Sequence, residues 1–346
     1  MANVYYKPIT NKTTIKDIQK ITQQLLDTII SKEKIKLEEN IPLKVHFGEK
    51  RNKTFIKSEN YEGIISYLKK KKIKTSYIET NVLYGGQRYK KDLHLKTAKE
   101  HGFTQLPIII ADGDEGEHFT EIEINKKHFK TCKIGKSFQD YKQVLVLSHF
   151  KGHAAAGFGG AIKQLGMGFA SKGGKLAMHM GIKPYIKERK CKKCNLCKTR
   201  CNYSAITIDK QSTIDHNKCV GCSACVAACP YKAISIFTTK GILKAIGIGN
   251  NFKEKLAEYA YAAQQNKNNI YINFATNITR GCDCEPRKMH PIMKDIGIFI
   301  STDPLSIDKA CYDIIKQKGH KFRGHAIFDY AEKIGLGSTK YKLVKI

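Results

Sequence analysis

The feature that most limits this chain is a doubled cysteine pattern. Cys191, Cys194, Cys197 and Cys201 follow C-x2-C-x2-C-x3-C, and Cys219, Cys222, Cys225 and Cys229 repeat it with Pro230 next. The repeat runs past the sulfurs: Tyr203-Ser-Ala205-Ile206-Thr-Ile208 matches Tyr231-Lys-Ala233-Ile234-Ser-Ile236, each tyrosine two residues after its last cysteine. Such a duplication implies two pseudo-symmetric halves packing Ile and Tyr around two sites. Asn202 stands where the second half has Pro230, which alters how the following turn begins. Zinc and disulfides are the alternatives, but a single C-x2-C would suit zinc better than this doubled set, and disulfides do not suit a chain read as cytoplasmic.

The segment closely resembles dicluster ferredoxins over about 50 residues, and that resemblance implies two 4Fe-4S clusters. Three cysteines on a tight loop grip one cluster, and the fourth reaches its neighbour. Cluster one then belongs to Cys191, Cys194, Cys197 and Cys229, and cluster two to Cys219, Cys222, Cys225 and Cys201. Arg189, Lys190, Lys192, Lys193, Lys198 and Arg200 crowd the first loop. Positive charge there favours the reduced cluster and marks this end as the dock for an acidic electron carrier of the ferredoxin or flavodoxin type.

On either side of this segment the pattern is that of an α/β domain. Apolar helical faces are expected at 14–30, 60–71, 92–101, 252–264 and 306–316, the last capped by Asp303 or Ser306. Strands are expected at 43–47, 75–79, 108–111, 144–148, 270–275 and 296–300. Alternation of this kind predicts a largely parallel sheet with helices on both faces. The chain divides into a first α/β part (1–186), an inserted cluster module (187–237) and a second α/β part (238–346). At 346 residues there is ample length for a core.

The formal charge is +30, from 61 Lys and Arg against 31 Asp and Glu. The basic residues are spread along the whole chain, which argues against the focused stripe of a specific nucleic-acid reader. They do attract anionic ligands and acidic partners, with rates that fall as salt rises. No apolar run reaches the roughly 18 residues of a membrane span, and the first residues have no apolar signal-peptide core, so a cytoplasmic location is expected.

A second chemical centre follows the strand at 144–148. His149-Phe-Lys-Gly-His153-Ala-Ala-Ala-Gly157-Phe-Gly159-Gly160-Ala-Ile-Lys163 combines two histidines, two lysines and four glycines. Loops at the carboxyl ends of parallel strands are where ligands bind, and a helix starting near Ala161 would aim its N–H groups at an anion. His149, Gly157, Gly159 and Gly160 are therefore candidates to hold a cofactor. The stretch 168–175 lacks a P-loop ending, and Gly247-Ile-Gly249 lacks the third glycine of a dinucleotide fingerprint. Glu49, Thr80, Asn81, Asp112 and Asp303 also follow strands and would share that edge if the strands are parallel. Cys282 and Cys284 can bind a metal, face a cluster or remain plain reduced thiols. Cys132 and Cys311 carry no motif and read as packed residues.

Taken together, Val45-His46-Phe-Gly48-Glu49-Lys50, Glu79-Thr80-Asn81, the Gly-rich loop, the doubled cysteines and Asn277-Ile-Thr-x2-Cys282-Asp283-Cys284 resemble the domain of unknown function 362 family of iron-sulfur proteins. A narrower similarity, over some thirty residues, is to lactate racemases that use a nickel-pincer nucleotide. His153, Lys163 and His179 have the spacing of their acid/base histidine, nucleotide-bearing lysine and nickel-ligating histidine, with His94 a candidate for the further histidine. The resemblance leaves open a second metal or an anionic, nucleotide-like cofactor. The leading reading is an oxidoreductase passing electrons through two clusters to a small molecule near His153, Lys163 and His179. The alternatives are a simple electron carrier and a racemase-like enzyme with structural clusters.

Overall fold

Runs of Ile, Val, Leu and Tyr form strands where both faces can be covered, and eight of them join in one sheet. In chain order these are β1 (Ala2–Pro8), β2 (Leu43–Lys44), β3 (Tyr77–Glu79), β4 (Ile108–Ile110), β5 (Leu145–His149), β6 (Ile270–Ala275), β7 (Gly297–Ser301) and β8 (Tyr341–Lys345). The structure is a computed structural model and describes residues 1–10, 12–179, 184–201, 203–219, 224–235 and 251–346. The sheet order is β8-β1-β7-β6-β5-β2-β3-β4. Only β7 runs against its neighbours, β1 and β6; every other pairing is parallel.

Side chains alternate across the sheet and build a core on each face. Leu145, Leu147, Ile270, Ile272, Ile298 and Ile300 point to one side. There they meet α1 (Ile15–Lys32), α2 (Glu62–Lys70) and α3 (Lys91–Glu100). Val146, Tyr271 and Phe299 point to the other, against α4 (Ala161–Gly166), α5 (Lys172–His179), α6 (Phe252–Gln264), α7 (Pro304–Gln317) and α8 (Ala326–Lys333). Helix α1 begins in a capping box between Thr14 and Asp17 and buries Ile18, Ile21, Leu25, Leu26 and Ile29 on one face. The fold is thus mixed α/β, with a large, mostly parallel sheet between helical layers. Cys132 and Cys311 lie fully buried in the second core, as packed residues do.

The antiparallel course of β7 corrects one expectation. Asp303 leaves the sheet at the edge opposite the ends of β2 to β6, so it cannot join a site there. It caps α7 instead, accepting from the backbone N–H groups of Leu305, Ser306 and Ser338 at 2.8 Å each.

The cysteine-rich segment lies in the connection between α5 and α6. It contains two short antiparallel pairs, Tyr185–Ile186 with Ile234–Ser235 and Ile206–Ile208 with Ser212–Ile214, and two one-turn helices, Leu196–Thr199 and Ala224–Ala228. Cys197, Ile206, Cys225 and Ile234 form its small core. Ile206 and Ile234 are buried there, Tyr203 and Tyr231 are exposed, and Ile236 lies outside the described residues. Tyr203 stacks on Phe119, with ring centroids 6.3 Å apart. No described helix is long and apolar enough to cross a membrane.

Candidate functional site

Parallel β2, β3, β5 and β6 end on one edge, and a cleft of about 590 Å³ opens there. His153, Lys163 and His179, read from the sequence as a catalytic set, all line it. So do His46, Glu79, Thr80, Tyr84, Arg88, Lys175 and Cys284.

The Gly-rich stretch reaches this cleft by a different route from the expected one. After β5 it folds into a hairpin, Lys151–His153 against Gly157–Gly159, before α4 begins. Gly157 has φ +91°, and a Cβ there would lie 1.9 Å from the Arg323 carbonyl oxygen. At Gly160 a Cβ would lie 2.2 Å from Asp308 Oδ1. The Asp308 carboxylate accepts from the N–H groups of Ala161 (2.7 Å) and Ile162 (2.9 Å). The start of α4 is therefore capped by the chain's own carboxylate, and Gly157 and Gly160 serve close packing. Gly159 alone of the three faces cleft lysines: a Cβ there would lie 3.4 Å from Lys151 Nζ and 3.6 Å from Lys163 Cδ.

His149 Nδ1 lies 3.0 Å from both Asp283 oxygens and its Nε2 2.7 Å from the Thr276 carbonyl oxygen. With both nitrogens engaged and the ring buried, it ties the end of β5 to the 276–285 loop. His94, the candidate further histidine, is buried edge-on to Phe47 at 5.5 Å and does not line the cleft.

The cleft histidines are held neutral. Burial pulls His46, His153 and His179 below the usual imidazole range, His179 to about 3, and cations including Lys163 add to the effect. His46 Nδ1 accepts from Gly48 N–H at 3.1 Å, leaving Nε2 as the proton-bearing nitrogen. Most of the surrounding charge is internally compensated. Lys44 pairs with Glu79 at 2.9 Å, Arg88 with Glu49 at 3.2 Å and Lys151 with Asp283 at 2.9 Å. Lys175 donates to Thr80 Oγ1 (2.6 Å) and to the Asn81 carbonyl, while Lys163 reaches Cys282 Sγ at 3.5 Å. Lys175 thus donates to neutral oxygens with the Asp112 and Glu79 carboxylates nearby, and Lys163 faces the Cys282 sulfur. Asp112 is occupied by the N–H groups of Asn81 and Lys172.

Cys282 and Cys284 belong to this same site. The Cys284 hydrogen bond first, then Lys163, Lys151 and His153, hold the Cys282 thiol well below its usual range against opposing burial. Cys284 N–H also points at Cys282 Sγ, 3.5 Å away. The sequence signal for His46 was a polar pair, Lys44 and His46, inside a buried apolar run; Arg88 and Tyr84 had none.

In the cysteine-rich segment, Cys191, Cys194, Cys197 and Cys229 line one small hollow, together with Ile186, Ile208 and Ile234. Ala205 N–H donates to Cys201 Sγ and Ala233 N–H to Cys229 Sγ, both at 3.3 Å, so the two repeats place equivalent N–H···S bonds. Four thiols among apolar side chains, with an N–H donor on Cys229, are compatible with metal binding. Cys201, Cys219 and Cys225 are described, whereas Cys222 lies outside the described residues.

Residues 41–313 match the family described as domain of unknown function (DUF362), and the chain belongs to that family. No curated protein matches significantly. Among solved structures, a Thermotoga maritima protein is similar at TM-score 0.44 and 11% identity, over 89% of this chain and 60% of that one. The apoprotein of lactate racemase from Thermoanaerobacterium thermosaccharolyticum is similar at TM-score 0.35 and 13% identity, over 74% of this chain and 58% of that one. The chain thus spans less than two thirds of either.

Proposed function

We propose that this member of the DUF362 family is an iron-sulfur oxidoreductase that relays electrons through two 4Fe-4S clusters to an anionic small molecule in the cleft. The observation that carries the reading is the position of Cys229. It comes from the second repeat yet lines the hollow of Cys191, Cys194 and Cys197. That crossing is what a two-cluster ferredoxin needs, and two zinc sites each built within one repeat would not produce it.

Two clusters would supply single electrons at low potential. The chain's own residues do the rest. Lys163 neutralises an anionic group, His153 and His179 accept or return a proton as neutral imidazoles, and His46 offers an Nε2 donor to a developing negative oxygen. The exposed Arg189, Lys190, Lys192, Lys193, Lys198 and Arg200 make the first loop the docking face for an acidic carrier.

The test is an anaerobic reductive titration with reduced flavodoxin. The wild type is expected to take up about two electrons per chain, one per cluster. H153A and K163A are expected to take up the same number but to lose reoxidation by the cleft-bound molecule. Uptake of none would end the reading, and unchanged reoxidation in both variants would reduce the chain to a carrier.

A second reading has one observation of its own: His153, Lys163 and His179 meet on one cleft. A racemase-like enzyme with structural clusters would use them for proton transfer without external electrons. It predicts a covalent adduct on Lys163 by intact mass and nickel beside iron.

A further inference from the structure

We infer that His153, Cys282 and Cys284 form a site for one thiophilic divalent ion of the zinc class, separate from the clusters and open to the cleft. This deepens the proposed function by placing a second metal beside its substrate, and it rests on none of the eight cluster cysteines.

One ligand atom from each of the three residues lies within 4.8 Å of the others. Donors around a tetrahedral zinc ion sit roughly 3.5 Å apart, so side-chain rotations of about an ångström would close the set. Two sulfurs and an imidazole form a soft, borderline donor set that selects zinc-like ions over magnesium or calcium.

The loop that carries the sulfurs is held before any metal arrives. Cys282 N–H donates to Glu285 Oε1 at 2.8 Å, and Tyr84 OH donates to the Cys284 carbonyl oxygen at 2.8 Å. Between the two cysteines, the Asp283 carboxylate is locked by Lys151 at 2.9 Å and by His149. Supporting contacts of this kind fix ligand orientation. One contact opposes loading: Ala156 N–H donates to His153 Nδ1 at 3.0 Å, and this bond must weaken or turn when the ring takes a metal.

Access fixes the open side. Cys282 is buried at 1% exposure, whereas Cys284 and His153 line the cleft. Three protein ligands leave a fourth position facing the cavity, the arrangement of a metal that binds a reactant rather than one that only staples a fold. Two thiolates neutralise a dication, and Lys163 beside Cys282 then leaves the site net positive. An oxygen of a small anion, such as a carboxylate, is the fourth ligand this favours.

The test uses the full chain with its clusters loaded anaerobically. Zinc is added, excess is removed by gel filtration, and zinc and iron are counted together by mass spectrometry. The wild type is expected to retain about one zinc per chain, with retention falling at least about tenfold in C284S and H153A while iron stays constant. H153A, which trims a half-buried side chain at the end of a hairpin strand on another segment, keeps the test decisive should C284S lose iron through misfolding. No zinc in the wild type, or equal zinc in wild type and H153A, overturns the inference. In a chain without cluster iron, zinc that is lost on H153A would sink the redox reading and leave this site standing, whereas zinc unaffected by H153A would overturn both.

Discussion

Both carboxylate oxygens of Asp283 lie 3.0 Å from His149 Nδ1, which joins the end of β5 to the loop that carries Cys282 and Cys284. Lys151 adds a contact at 2.9 Å, and all three side chains are buried. Burial pushes the Asp283 carboxyl up, but His149 and Lys151 outweigh it and hold the group well below the usual carboxylate range. A depressed carboxyl stabilises the fold above its unfolded pKa of about 3.9 and loses that contribution as pH falls through the folded value. Asp283→Asn leaves the buried Lys151 ammonium facing a neutral amide. Its expected cost is about 3–5 kcal/mol in anaerobic urea unfolding at pH 7; a cost under about 1 kcal/mol would contradict this role.

Asp308 behaves with the opposite sign. Burial pushes its carboxyl up to about 6, despite N–H donors from Ala161, Ile162 and Asn273. A raised carboxyl binds its proton more tightly folded than unfolded, so its contribution falls as pH rises from about 4 through 6. Between pH 5 and 7 the wild type should lose about 1 kcal/mol relative to Asp308→Asn, whose side chain does not ionise. Denaturant midpoints of the two proteins at matched pH values check the slope, and a parallel pair of curves would refute it.

Crossed ligation predicts which variants resemble each other. Cys229→Ser and Cys191→Ser should perturb the same cluster and give matching EPR spectra. Cys201→Ser should perturb the other. If Cys229→Ser instead matched Cys225→Ser, each repeat would hold its own metal and the ferredoxin reading would fail.

The exposed basic loop gives a salt-dependent prediction. Reversing Lys192, Lys193 and Lys198 together to Glu should slow reduction by flavodoxin at least about tenfold at low salt, with the gap closing as ionic strength rises. Stopped-flow rates at several salt concentrations measure this. A gap independent of salt would place the docking face elsewhere.

Much of the scaffold could be read from residue patterns. Helix α6 and strand β6 fall at the expected residues because one is a long run rich in Ala and Tyr without Gly or Pro and the other a short, mainly apolar run. The edge strand β8 and its neighbour β1 were missed, since their half-exposed patterns resemble loops. The direction of β7 could not be read, because a buried strand has the same composition in either orientation. At the site, His153, Lys163 and His179 were legible from spacing, and Cys284 from its pairing with Cys282. His46 and Arg88 come from separate loops, and only the shared sheet edge brings them together. The partners of Gly160 and His149, Asp308 and Asp283, lie more than a hundred residues away in the chain and leave no local signal.

The measurement that bears most directly on the account is an iron count with EPR on protein purified without oxygen. Two 4Fe-4S clusters predict about eight iron atoms per chain, a brown colour, and signals from two interacting clusters on reduction. A colourless protein with zinc in place of iron at the doubled cysteines would contradict it.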